Sequence, residues 1–253
     1  MPRHARDKSE SGIYHMVLRG INRQDILAED EDKQRLFETL MRYKQLSGYD
    51  LYGYCFMDNH IHLLMKEKRE PLSLVLKRIS SSFVYWFNWK YERCGHLFQE
   101  RYKSEPVEND AYLLTVLRYI HQNPVKARLA GNVPGYQWSS YHEYINGSII
   151  IDTDFVLTMF SSDRQKSVEL FKIYTNRENN DKCLDNDVQL RLSDSEVKVI
   201  LAQYGNINRL HRIEKEEREK IIKELKSIDG VTIRQLSRLT GLPKSTIGKI
   251  WQH

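Results

Sequence analysis

Two histidines separated by one apolar residue, His60-Ile61-His62, are the first residues whose types and spacing suggest chemistry. In an extended strand, residues i and i+2 share a face, so both imidazoles project together while Ile61, Leu63 and Met65 turn the other way. Their Cα atoms would lie about 6.5 Å apart, from where two rings can converge on one ion. Taken alone, the pair also fits two hydrogen-bonded, half-buried histidines. A second group lies on residues 110–122, a segment with Leu113, Val116, Leu117 and Ile120 as its apolar stripe. At about 100° per residue, Asn123 falls about 40° from Tyr119, and both point away from that stripe onto a polar face. Pro124 is expected to stop the helix by Asn123, with Lys126 and Arg128 beside the tyrosine. A phenol, an amide and two cations near a histidine metal pair would suit attack on a phosphodiester.

Positioning these groups requires a defined set of elements. Residues 13–19 alternate as a strand, and 31–46 carry Leu36, Phe37, Leu40, Met41 and Tyr43 at helical spacing. Two β-rich runs, 50–57 and 60–66, are separated by Asp58-Asn59, a hairpin signal. Residues 72–90 read as a second amphipathic helix, 102–107 as a short strand, and Asn109 as the N-cap of the third helix. The order β-α-β-β-α-β-α predicts a ferredoxin-like α+β sandwich, an antiparallel sheet with helices on one face. From about 150 the texture changes. Residues 151–190 read as a helical connector ending in a polar linker at 176–190, after the catalytic unit at 1–150. Residues 191–253 read as a helical C-terminal domain with patterns at 193–203, 213–227, 231–239 and 243–251. The last two, joined by Thr240-Gly241-Leu242, form an expected helix-turn-helix over 231–251.

The chain has 253 residues, 39 Lys+Arg and 34 Asp+Glu, a formal charge of +5. Mean hydropathy is −0.61 and no apolar run approaches the ~20 residues of a membrane span. Residues 1–12 contain no apolar stretch resembling a secretory signal, and Cys55, Cys94 and Cys183 fit neither a disulfide framework nor a zinc cluster. The expectation is a reduced, cytoplasmic protein. Charge distribution says more than the total. Residues 111–142 contain no acid but carry Arg118, Lys126 and Arg128, and 231–253 contain no acid but carry Arg234, Arg238, Lys244 and Lys249. Such windows suit a polyphosphate partner or a solvated basic face. In the helix-turn-helix, Ser245, Thr246 and Lys249 are expected on the exposed face, which favours DNA.

Three blocks in order resemble the REP-associated tyrosine transposases, relatives of the single-tyrosine HUH (His-hydrophobic-His) transposases of small bacterial insertion sequences. The blocks are Tyr14-His15-Met16-Val17 through Arg19-Gly20-Ile21-Asn22-Arg23-Gln24, Met57 through Leu64, and Tyr119 through Ala127. They span roughly residues 12–145, and Ile21 stands where the family commonly has a polar residue. The resemblance implies that His60 and His62 are a metal pair with Asn123 as third ligand, holding Mg²⁺ or Mn²⁺. It implies that Tyr119 is a nucleophile giving a 5′-phosphotyrosine and a free 3′-hydroxyl on single-stranded DNA beside hairpin repeats. Tyr112 lies on the same face but about 10 Å along the helix, too far to replace Tyr119.

With that substrate, Arg19, Arg23, Lys66, Arg101, Lys103, Lys126 and Arg128 become candidate backbone contacts, and Trp86, Trp89 and Trp138 candidate stacking residues. Trp86 and Trp89 are expected at the core or its rim. His15, His96, His121 and His142 have no spacing partner and read as surface or capping histidines. Arg234, Arg238, Lys244, Ser245, Thr246 and Lys249 are candidate contacts to duplex DNA. Relatives include dimers and single-chain enzymes, and the sequence is compatible with either. Two other readings use the same fold: a catalytically silent DNA-binding regulator, and a metal-dependent nuclease that uses water.

Overall fold

The computed structural model describes residues 7–181, 183, 184, 192, 194–204, 214–228 and 230–252. The expected linker positions 182 and 185–190, and the first residues of the helical patterns at 193 and 213, lie outside them.

Alternating apolar residues make β1 (Ile13–Arg19), β2 (Asp50–Met57) and β3 (His60–Lys66), and β4 (Lys103–Pro106) completes one sheet in the order β2-β3-β1-β4. Every adjacent pair is antiparallel. Asp58-Asn59 is the β2–β3 turn, and the register places Val17 opposite His62 and Arg19 opposite His60. The ferredoxin-like α+β reading therefore stands.

The helices are distributed differently from the expectation. α1 (Asp30–Ser47) packs on α2 (Leu72–Lys90), and Phe37 of α1 meets Tyr54 edge-on at 5.9 Å. α3 (Asp110–Lys126) crosses the opposite face, where a Cβ on Gly53 would come within 2.6 Å of Leu117 Cδ1. A side chain at 53 would force Leu117 to shift from its place over β2. Helices on one face only was wrong because both sheet faces are apolar: β2 and β3 are buried along almost their whole length.

α3 begins as read, with Asn109 Oδ1 accepting from the Tyr112 amide at 2.8 Å. It does not stop at Asn123. Pro124 is inside the helix, where its missing N–H deprives the Ile120 carbonyl of its helical donor. The turn continues through Ala127 N to Asn123 O (2.9 Å) and Leu129 N to Pro124 O (2.8 Å), with Pro124 itself buried.

Residues 138–152 cover the free edge of β2, through Phe56 N to Trp138 O (2.9 Å), Ser140 N to Tyr54 O (3.0 Å) and Asp152 N to Leu51 O (2.8 Å). This run includes α4 (Tyr141–Asn146) and leads to α5 (Thr153–Leu157) and α6 (Arg164–Asn176). Residues 151–184, read as connector and linker, add Ile151, Val156, Leu157, Phe171 and Cys183 to the same apolar core as the sheet. The polar stretch after α6 packs on α3: Arg118 is paired with Asp181 (2.7 Å), and Gln122 Nε2 donates to the carbonyls of Thr175 (2.7 Å) and Arg177 (3.0 Å).

A second apolar cluster joins α7 (Asp194–Ala202), α8 (Lys215–Lys226), α9 (Ile233–Thr240) and α10 (Lys244–Gln252) around Val197, Leu201, Leu225, Leu236 and Ile247. Gly241, at φ 72°, takes the left-handed conformation that ends α9 and lets α10 fold back.

Candidate active site

The β3 register sets the site. His60 and His62 project from the face covered by α3, with ring centroids 4.9 Å apart. Tyr119 and Asn123, one helical turn apart on α3, face them: the Tyr119 ring centroid is 5.9 Å from His62, and Asn123 Nδ2 is 3.1 Å from His62 Nε2. The four residues read from the sequence are thus together. Tyr119 departs from its expected exposure. It is buried (5 % exposed) because the face of α3 that reads as polar is the one laid on the histidines. Lys126 Nζ lies 5.2 Å from the Tyr119 ring centroid, where partial burial lowers its pKa from the ordinary lysine value. Tyr112 is instead engaged with Glu105 and Cys183.

His15 is the residue the sequence reading missed. It is fully buried, with Nδ1 2.7 Å from Glu105 Oε1 and Nε2 3.0 Å from His62 Nδ1. Burial pushes the Glu105 carboxyl up, but His15, the Leu184 amide and Tyr112 together outweigh it, and the net shift is downward from the usual carboxylate value. As a carboxylate, Glu105 accepts from His15 Nδ1–H. With that proton on Nδ1, His15 Nε2 is placed to accept from His62 Nδ1–H, which leaves the His62 Nε2 lone pair facing Asn123. Asn59 Oδ1, 2.6 Å from His60 Nδ1, fixes the other ring in the same sense. Burial, with Arg19 and Arg23 next, lowers His60 to about 3, and burial with His60 and His15 lowers His62 well below 6.5. Both imidazoles are therefore neutral at ordinary pH.

Among the described residues no group of three or more His, Cys, Asp or Glu side chains could hold a metal ion. A site here would need the amide. Two neutral imidazoles tethered through Nδ1, with an asparagine carboxamide beside them, fit a divalent cation that keeps other positions open. His121, expected at the surface, is buried, with Nε2 2.8 Å from Ser140 Oγ.

The basic candidates divide. Arg19 and Arg23 lower His60, so both border the pair, while Lys103 lies opposite Val17 on the same sheet face. Arg101 and Arg128 are exposed, Arg128 with a φ of 59°. Lys66 is at the far end of β3, about 20 Å from His60 along the strand, and its Nζ sits over Phe155. Of the aromatic candidates, Trp86 is half-buried between Arg35 and Lys90, and Trp138 donates to Asp30. Trp89, expected at the core rim, is 74 % exposed because the apolar face of α2 turns through Phe83 and Phe87. In the C-terminal helices, Arg234, Lys244, Ser245 and Lys249 are exposed and Thr246 half-buried. Arg238 is used internally: its guanidinium pairs with both carboxylate oxygens of Asp194 (2.9 and 2.6 Å).

The family model described as transposase, IS200-like, matches residues 8–123, a span that holds His15, both site histidines, Glu105, Tyr119 and Asn123. Over this segment the chain is similar to that transposase family. The structure of a REP-associated tyrosine transposase bound to a REP hairpin superposes with a TM-score of 0.52 at 19 % identity, covering 60 % of this chain and 90 % of that one. A protein of Deinococcus radiodurans R1 described as a transposase covers 48 % of this chain and 97 % of its own, at 17 % identity and a TM-score of 0.34. No curated protein matches significantly.

Proposed function

We propose that this IS200-like transposase cleaves and rejoins single-stranded DNA beside hairpin repeats through Tyr119. The observation that carries this reading is Tyr119 and Asn123 held one turn apart against the His60/His62 pair. The Tyr119 oxygen attacks the scissile phosphorus in line. The new bond is a 5′-phosphotyrosine, the bonds that break are P–O3′ and the phenol O–H, and the strand end leaves as a 3′-hydroxyl, its proton balanced by the one the phenol gives up. The reverse attack by a 3′-hydroxyl rejoins a strand without an external energy source. His60, His62 and Asn123 would hold Mg²⁺ or Mn²⁺, which supplies polarisation of the phosphoryl oxygen. Lys126 places a cation beside the ring where the phosphate enters, and Arg19 and Arg23 extend positive charge along the strand's path. Burial of Tyr119 between sheet and helix fixes the ring and keeps competing water away.

The reading divides the chain into a catalytic unit built on the sheet, a segment that braces α3, and a C-terminal helix-turn-helix for duplex DNA. The setting it implies is the bacterial cytoplasm; among the described residues no helix is long and apolar enough to cross a membrane. The test is a covalent protein–DNA adduct on denaturing gels, with a single-stranded hairpin substrate and Mg²⁺ or Mn²⁺. Tyr119→Phe should abolish the adduct while DNA binding persists. An adduct from Tyr119→Phe overturns the assignment, and cleavage by the native protein without any adduct identifies a nuclease that uses water.

A further inference from the structure

On the face of the sheet away from Tyr119, α1 and α2 border a groove of about 620 Å³. Its lining is Arg35, Arg42, Tyr43, Leu74, Lys77, Arg78, Ser81, Ser82 and Tyr85, four cations and two tyrosines with no carboxylate. Of the four cations Arg78 is paired with an acid outside the lining, Glu70 (2.5 Å). Arg42 and Lys77 are exposed. Arg35 Nε is buried with no hydrogen-bond partner among the described residues, a donor whose desolvation is left uncompensated within the chain. Tyr85 is 79 % exposed, and Trp89, one turn further along α2, is 74 % exposed.

Two large aromatic side chains in water next to three or four cations are poorly explained by packing, because neither ring is covered. A basic channel with flanking aromatic faces is the arrangement that binds single-stranded nucleic acid: cations follow the phosphates, and bases stack on the rings without regard to sequence. A protein partner would need several acidic residues to match the exposed cations Arg42 and Lys77, whereas the phosphates of one strand match them in succession.

We infer that the α1–α2 groove is a second DNA-binding site, taking the single-stranded flank of the substrate after it passes around the sheet from the Tyr119 side. This rests on the reading that the substrate is single-stranded DNA. It adds affinity without chemistry, because no groove residue reaches the histidine pair.

The experiment compares two labelled oligonucleotides with the same hairpin and cleavage region, one with a short flank and one extended by a long single-stranded flank, on the full chain. The native protein should bind the long form about tenfold more tightly. Arg42→Glu combined with Lys77→Glu should erase that advantage and flatten the dependence of log K on log salt by about 1.4 for the long form, two contacts at about 0.7 each. Short-flank binding and adduct yield should stay unchanged, and these separate failure of the groove from failure of the Tyr119 reading. Tyr85→Ala should reduce only long-flank affinity, with little change in salt slope. Equal affinity of the native protein for both oligonucleotides overturns the proposal. So does a charge-reversed protein that keeps its preference for the long form, or one that loses self-association instead.

Discussion

His15 Nε2 lies 3.0 Å from His62 Nδ1, and His15 Nδ1 lies 2.7 Å from Glu105 Oε1, so three strands contribute one hydrogen-bonded line ending at the site. The line orients His62 and determines which of its nitrogens carries the lone pair. His15→Ala removes the acceptor for a buried N–H and leaves His62 free to rotate or change tautomer. Partners of this kind typically contribute 10- to 100-fold in metal affinity. His15→Ala should weaken Mn²⁺ binding by that order, measured by calorimetry, with the adduct partly recovered at high metal. Glu105→Gln, which still accepts from His15, should cost less. Mn²⁺ affinity unchanged in His15→Ala would reduce the histidine to packing.

That residue also shows where sequence reasoning ran out. His60 and His62 are legible because their relation is local, two positions on one strand. Asn109 is legible as a cap, and Asp58-Asn59 as a turn, for the same reason. His15 gains its role only from the β1–β3 register, across 47 positions. The pairing of Val17 with His62 was not available from alternation alone, since a shift of one residue would turn His15 to the other face. The Tyr119 face looked solvated because tyrosine, threonine and asparagine are polar. It is buried because the surface it meets is polar too. Pro124 looked like a stop, but buried packing of the last turn outweighs one lost hydrogen bond.

The exposed cations of α9 and α10 make a second measurable claim. Lys244→Ala combined with Lys249→Ala should weaken binding to duplex DNA and reduce the salt slope by at most about 1.8, two contacts at about 0.9 each. Adduct yield at saturating DNA should not change, since the mutated positions lie outside the group formed by His60, His62, Tyr119 and Asn123. Truncation after residue 177 is a poor substitute, because it would strip Asp181 from Arg118 and Cys183 from the core. Unchanged duplex affinity and slope in the double variant would remove α10 from the DNA interface. Arg238→Ala should behave differently, lowering stability through the loss of Asp194's partner.

Asp25 gives the fold a pH dependence whose sign can be worked out. Its carboxyl is raised from 3.8 to about 6, by burial foremost, with Asp194 and Asp58 adding repulsion and the Ser195 hydroxyl, 2.8 Å away, opposing it. Asp25 Oδ1 is buried with no hydrogen-bond partner among the described residues. A raised folded-state value means that the native protein holds this proton more tightly than the unfolded chain does. The resulting stabilisation is complete below about 3.8 and is lost as pH rises through about 6. Two units correspond to about 3 kcal/mol as an upper limit. Asp25→Asn keeps an oxygen for Ser195 and removes the charge. Its melting temperature should exceed that of the native protein most at pH 7, and the gap should close towards pH 4. Comparing the two proteins at each pH cancels the other carboxylates. A gap that stays constant between pH 4 and 7 would show that Asp25 is ionised in both states and that its buried oxygen is solvated.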